Sequence, residues 1–273
     1  MDLLKSHLSN LTIIPGTKGY GFTQLIAPGI EFHQSLLDGC DLPKHLYKVD
    51  LSKNSLTDAS FLHSLTFLRE LNLSSNSIES LHLQPFKHLH TVDASNNLIS
   101  HFDSQHDALE ELNLRSNKLV KFSLSAATLK TIDLAQNLLE SVDLSNCSSL
   151  VRADLSQNPT LSSVSLPSAL EFLDLSGCTS LTEFENLKSL SNLQVLKLDG
   201  VPIEDVQSIA FLKEFSKLRE ISLVDSGPSD RIELAILIPS LHVIDGEKIT
   251  KEERQEIREK LSEAVEEEEE DAE

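Results

Sequence analysis

The sequence predicts an α/β solenoid: a horseshoe of about ten short repeats, with a parallel β-sheet on its concave side and extended or short-helical segments on its convex side. Three observations predict it. The template L-x-x-L-x-L-x-x-N recurs from Leu46, Leu68, Leu89, Leu109, Leu129, Leu150, Leu170, Leu193, Leu218 and Leu241, with successive starts 20 to 25 residues apart. Six consecutive repeats carry Asn at the ninth position (Asn54, Asn76, Asn97, Asn117, Asn137 and Asn158), and the seventh carries Cys178 there. Finally, 40% of the 273 residues are hydrophobic while only 5% are aromatic and Trp is absent, which suits a core of stacked aliphatic positions.

Each element follows from this template. In L-x-L the two apolar residues alternate with an outward one, so the segment is a short strand whose leucines point inward. The Asn turns the chain inward and offers a buried amide to backbone groups of neighbouring turns. Cys178 substitutes structurally at that rung. A second apolar set follows each Asn, as in Ile78–Leu81–Leu83, Leu119–Phe122–Leu124, Leu139–Val142–Leu144 and Leu161–Val164–Leu166, and implies extended segments on the convex side. The longer C-terminal repeats leave room for helices at Asp205–Lys217 and about Asp230–Ile238, and Phe61–Leu68 has similar spacing. Residues 1–45 fit no repeat well and are assigned to an N-terminal cap, with the glycine-rich Gly16–Phe22 as a turn, since it lacks GxxxxGK[ST]. The solenoid is assigned to 46–246 and a C-terminal capping helix to 247–264, where Thr250-x-x-Glu253 forms a capping box. The acidic run of 265–273 is expected to be disordered, because like charges resist packing.

Charge narrows the partners. The net charge is −20, so free nucleic acid and anionic membrane are poor partners and a basic protein is a natural one. Residues 247–273 carry 13 acids against 5 bases. Cys40, Cys147 and Cys178 are sparse and lack metal or redox spacing, which fits a reducing compartment. The opening MDLLKSHLSN has no sustained apolar stretch, so no secretory signal is expected, and no apolar window reaches membrane-spanning length. The sequons at Asn10, Asn72 and Asn146 are then coincidental. His82, His88, His90, His101 and His106 cluster in sequence but fall on different faces of the template, so no metal site is expected. No nucleophile-elbow pattern surrounds a serine, and no cofactor or catalytic group is assigned.

The register places a candidate partner site on the concave face. Outward positions before, between and after the inward pair of each strand include Glu70, Glu111, Arg152 and Phe172, then Asp50, Asn72, Asp93, Asn113, Asp133, Asp154 and Asp174, then Arg115; Tyr47 lies at the strand margin. Asp133, Asp154 and Asp174 stand in consecutive repeats about 4.8 Å apart, a spacing at which like charges repel. One reading is an acidic stripe that a Lys- or Arg-bearing partner relieves; the other is that L-D-L-S-x-N is a common repeat variant with a solvated Asp. Arg115 and Arg152 offset part of the repulsion and, with Phe172, supply hot-spot side-chain types. The patch Arg152, Asp154, Phe172 and Asp174 is the leading candidate.

These repeats resemble the leucine-rich-repeat superfamily over about residues 46–246. The ending Leu241-x-x-Ile244-Asp245-Gly246, followed by KITKEER, is similar to the C-terminal cap of one intracellular group. That group includes the phosphatase 1 regulatory subunit with short repeats, the acidic leucine-rich nuclear phosphoproteins, the spliceosomal A-prime protein and axonemal dynein light chains. The resemblance implies a non-enzymatic adaptor of the cytoplasm, nucleus or cilium; the chain is expected to be a monomeric scaffold that binds a protein partner. Its alternatives are a regulatory subunit of protein phosphatase 1 or of an axonemal motor, and an acidic chaperone of basic proteins acting through the tail. Lys118-Leu-Val-Lys-Phe122 matches a loose phosphatase-docking motif, but Leu119 and Phe122 fall at inward positions.

Overall fold

A computed structural model describes residues 6–13, 20–31, 42–84, 86–104, 108–228 and 230–270. Cys40, His106, residues 16–19 of the glycine-rich stretch and the last three acidic-tail positions lie outside the described residues. Ten strands of the concave sheet follow the repeat, and an eleventh, β18 (Glu247–Lys248), closes its C-terminal edge. The ten are β3 (Lys48–Asp50), β4 (Glu70–Asn72), β6 (Thr91–Asp93), β8 (Glu111–Asn113), β10 (Thr131–Asp133), β12 (Arg152–Asp154), β14 (Phe172–Asp174), β15 (Val195–Lys197), β16 (Glu220–Ser222) and β17 (Val243–Ile244). All but the β17–β18 pair are parallel, and the central residue of each repeat strand is buried. β1 (Leu8–Ile13) and β2 (Tyr20–Ile26) form an antiparallel hairpin at the other end of this sheet.

That hairpin corrects the expected N-terminal boundary. β2 pairs parallel with β3 in repeat register, Gln24 with Lys48 and Ile26 with Asp50. Phe22-x-x-Leu25-x-Ala27 therefore occupies the template 24 residues ahead of Leu46, with Leu25 and Ala27 fully buried. Tyr20–Phe22, expected to be part of a turn, belongs to this strand.

The Asn ladder explains how each turn closes. Asn137 Nδ2 donates to the carbonyls of Leu114, 3.0 Å away in the preceding repeat, and Leu134, 3.0 Å away in its own; its Oδ1 accepts from Leu119 N–H at 3.1 Å. Asn76, Asn97, Asn117 and Asn158 repeat this three-way arrangement, and Asn54 makes it against Ala27 and Ile30 of the hairpin repeat. Cys178 keeps only the cross-repeat donor, Sγ to Leu155 O at 3.3 Å. It suffices because Leu161 N–H bonds the Asn158 carbonyl of its own turn and needs no side-chain acceptor. Ser226 continues the ladder two repeats later, donating to Leu198 O.

The residue before each rung is left-handed. Lys53, Ser75, Asn96, Ser116, Gln136, Gln157 and Asp225 have φ between +54° and +58°, and Gly177 takes the same place at +76°. This conformation reverses the chain out of the strand and aims the ninth residue at the core.

On the convex side, β5 (Ser80–Leu83) pairs with β7 (His101–Ser104), and β9 (Lys121–Ser123), β11 (Ser141–Asp143) and β13 (Ser163–Ser165) form a second small parallel sheet. The segments expected to be helical at Phe61–Leu68 and Asp205–Lys217 are 3₁₀ helices, over Ser60–Ser64 and Val206–Glu214. The tighter helix rises more per residue and so spans a repeat in fewer residues. α1 (Arg231–Leu237) is capped by Asp230, whose Oδ1 accepts from Ile232 and Glu233 N–H. α2 (Lys251–Glu270) opens with the reciprocal Thr250–Glu253 box. α2 runs past 264, so residues 265–270 are helical and not disordered: five of these six residues are Glu, a good helix former, and propensity outweighs repulsion along the run. Arg231 anchors this cap, with Nε 2.8 Å from Glu253 Oε1 and a bond to Ile244 O.

Candidate functional site

The sheet carries the outward columns side by side. Its second column is not simply a row of solvated acids. Asp50, Asn72, Asp93, Asn113, Asp133, Asp154 and Asp174 each accept, through Oδ1, the N–H of the residue two further on, at 2.9–3.0 Å. Where that residue is Ser52, Ser74 or Ser156, its hydroxyl donates to the same oxygen. One carboxylate oxygen therefore closes the strand exit and the other faces the concave side. Asn does the first task as well as Asp, as positions 72 and 113 show.

The charges then divide into two groups. Arg115 Nη1 lies 3.8 Å from Oδ2 of both Asp133 and Asp154, bridging adjacent repeats. Burial pushes the Asp133 carboxyl above its ordinary value, and the charges of Asp154 and Asp93 add to this, against the Ala135 N–H and Arg115. Arg152 does not offset the stripe as expected. Its guanidinium sits 3.4 Å from the centroid of the Phe172 ring, with Lys197 Nζ 5.9 Å away on the same ring. Phe172 is accordingly half-buried under cations and is not a bare apolar group. A cleft of about 420 Å³ opens beside it, lined by Asp93, Glu111, Asp133, Arg152 and Asp154 among others.

Not all predicted residues gather there. Tyr47, Asp50, Glu70 and Asn72 lie on β3, β4 and their margins, six strand steps or about 29 Å along the sheet between β3 and β14. Glu70 is engaged by Lys48 at 2.6 Å, and Tyr47 packs edge-on to Phe67 with Arg69 over its ring at 5.0 Å. Two residues were missed as members of the site. Lys197 interrupts the Asp/Asn column, and Asp199, two residues on, receives Val224 N–H at 3.0 Å, supplying the acceptor that Ser222 lacks in the next repeat. The break in the column at Lys197 was the available signal. Leu119 and Phe122 of the KLVKF segment are buried, which closes that motif to a docking partner.

A stack of repeats presenting one long array of outward side chains defines a solenoid interaction protein. The comparisons agree. The Leucine Rich Repeat family model matches residues 67–89. Leucine-rich repeat-containing protein 23 of Homo sapiens is 32% identical over 261 residues, covering 82% of this chain and 69% of that one. A protein phosphatase 1 regulatory inhibitor subunit homolog of Arabidopsis thaliana is 31% identical over 190 residues, covering 68% of this chain and 47% of the relative. Among solved structures, the functional domain of InlJ from Listeria monocytogenes superposes with a TM-score of 0.50 at 20% identity, over 67% of this chain and 46% of the other, and supports the fold alone. The chain belongs to the leucine-rich-repeat family. Proteins of this family generally act in protein–protein interaction. No helix among the described residues is long and apolar enough to cross a membrane.

Proposed function

We propose that this chain is a non-enzymatic scaffold or adaptor that binds a protein partner on its concave face, across β8 to β14. The observation that carries this reading is the cluster of Phe172 under Arg152 beside the Asp133–Arg115–Asp154 bridge. Aromatic and Arg side chains packed together on a polar face are the usual anchors of protein interfaces, and the outward carboxylate oxygens favour a basic contact segment. Residues 46–246 then serve as the binding array and the segments flanking them as caps, in the cytoplasm, nucleus or cilium.

The test is partner capture with crosslinking mass spectrometry, followed by Phe172→Ala, Arg152→Ala and the triple variant Asp133→Asn, Asp154→Asn, Asp174→Asn. Asn keeps the N–H acceptor that Ala would remove, so the triple variant reads charge and not folding. Crosslinks on β8–β14 and a tenfold or greater loss of affinity are expected. Crosslinks elsewhere with unchanged binding overturn the reading.

A second reading, regulation of protein phosphatase 1, is favoured by the Arabidopsis relative. Co-elution of the chain with the phosphatase catalytic subunit, together with a change in its activity, is the expected outcome of that reading. An acidic chaperone role would instead require residues 265–273, whose deletion then abolishes binding of histones.

A further inference from the structure

The cleft between α1 and α2 lies outside the concave site and is built differently. It encloses about 200 Å³, and its lining combines Ile236, Ile249 and Ile257 with Leu261, which is 46% exposed. Arg254 and Arg258 line it as well.

The placement of these two arginines is unusual for this chain. Side chains three and four apart are the neighbours on a helix surface. For Arg254 these are Thr250, Lys251, Ile257 and Arg258; for Arg258 they are Arg254, Gln255, Leu261 and Ser262. None is a carboxylate, although α2 contains Glu252, Glu253, Glu256, Glu259, Glu263 and 266–270. Two other bases of the cap are paired, Arg231 with Glu253 and Lys260 with Glu256. The helix thus turns its acids to other stripes and leaves two guanidiniums, a like-charged pair, at the edge of an apolar cleft in a chain of net charge −20.

We propose that this cleft is a docking groove for an acidic amphipathic helix of a partner protein. Arg254 and Arg258 are one helical turn apart, about 6 Å along the axis. Carboxylates at i and i+4 of a second helix match that spacing, and an aliphatic residue at i+3 between them falls opposite the Ile257–Leu261 stripe. Arg binds carboxylates in a bidentate fork, and the apolar floor excludes water from the pair. The surrounding acids repel such a helix at long range, so recognition depends on these two arginines and not on the net field.

The test uses the full chain and a fluorescein-labelled, end-capped helical peptide of four Glu-Ala-Ala-Leu repeats, with a second peptide in which every Glu is Lys. Fluorescence anisotropy at moderate salt is expected to show the Glu peptide binding at least tenfold tighter than the Lys peptide. Arg254→Glu with Arg258→Glu reverses the preference, while Arg254→Lys with Arg258→Lys retains its sign. Both side chains are exposed, so circular dichroism should show all variants folded. A wild-type preference for the Lys peptide, or one that charge reversal leaves unchanged, overturns the proposal. So does sedimentation showing a dimer of the chain alone that charge reversal dissolves, because the groove then belongs to a second copy.

Discussion

Replacing Asn137 by Ala tests the ladder at its most regular rung. The substitution removes the acceptor of Leu119 N–H and one of two donors to each of the Leu114 and Leu134 carbonyls, which keep Asn117 and Asn158 respectively. Asn137 is buried, so water does not replace the lost groups. One orphaned buried N–H costs about 1–3 kcal/mol, and each weakened carbonyl adds about 0.5 kcal/mol, for a total of about 2–4 kcal/mol. Cys178→Ala removes only a thiol donor from Leu155 O, which keeps Asn158, and should cost about 1 kcal/mol. Urea unfolding followed by circular dichroism measures both, with the midpoint compared at constant slope. Native-state hydrogen exchange adds a local reading, since the Leu119 amide should lose protection in Asn137→Ala more than its neighbours do. Equal losses in the two variants, or a fully protected Leu119, would show that strand packing and not the amide closes the turn.

Asp133→Asn should leave stability unchanged or raise it by a few tenths of a kcal/mol, because the acceptor of Ala135 N–H remains and the relief of the buried charge and of its repulsion with Asp154 outweighs the lost Arg115 pair; thermal melting checks this, and a loss above about 1 kcal/mol refutes the account. Hydrogen bonds from Arg231 and from Thr250 N–H hold the Glu253 carboxyl down to about 2, from an ordinary 4.5. Because the folded value is depressed, the stability it contributes is present above pH 4.5 and declines as pH falls from 4.5 toward 2. Protection of α2 amides should fall over that window, and Glu253→Gln should flatten the dependence. Burial pushes the Cys178 thiol up to about 12, so maleimide should label it in the native chain only at the rate of unfolding; rapid native labelling would contradict its burial.

The repeat was legible because its information is periodic: Leu25 through Ile244 occupy equivalent sites, and a solenoid needs little else to be drawn from sequence. What escaped notice lacked that redundancy. The hairpin repeat has Phe22 at its first place, Ala27 for the second inward leucine and Ile30 at the rung, so one template match survives at Leu25. The left-handed residue before each rung is Lys, Ser, Asn, Gln, Asp or Gly, types that share no signal strong enough to read singly. A 3₁₀ helix at Val206–Glu214 has the same apolar spacing over two turns as an α-helix, and length pressure within the repeat chooses between them.

For the candidate site the limits are of another kind. Register alone placed Arg152 next to Phe172 and Asp133 next to Asp154, and both adjacencies stand in the sheet. Side-chain reach decided the rest. Arg152 leans along the sheet onto the ring of Phe172, while Arg115, emerging after its strand, reaches the carboxylates of two following repeats. The acidic column also resisted a single reading because each Asp has two oxygens with separate duties. One oxygen completes the repeat wherever Asp or Asn stands, so Asp there does not by itself indicate a partner. The choice of Asp over Asn in β10, β12 and β14, where burial and neighbouring charge both oppose ionisation at Asp133, is what the fold does not require. The functional argument therefore rests on the second oxygen, and the Asp→Asn series removes its charge while leaving the first in place.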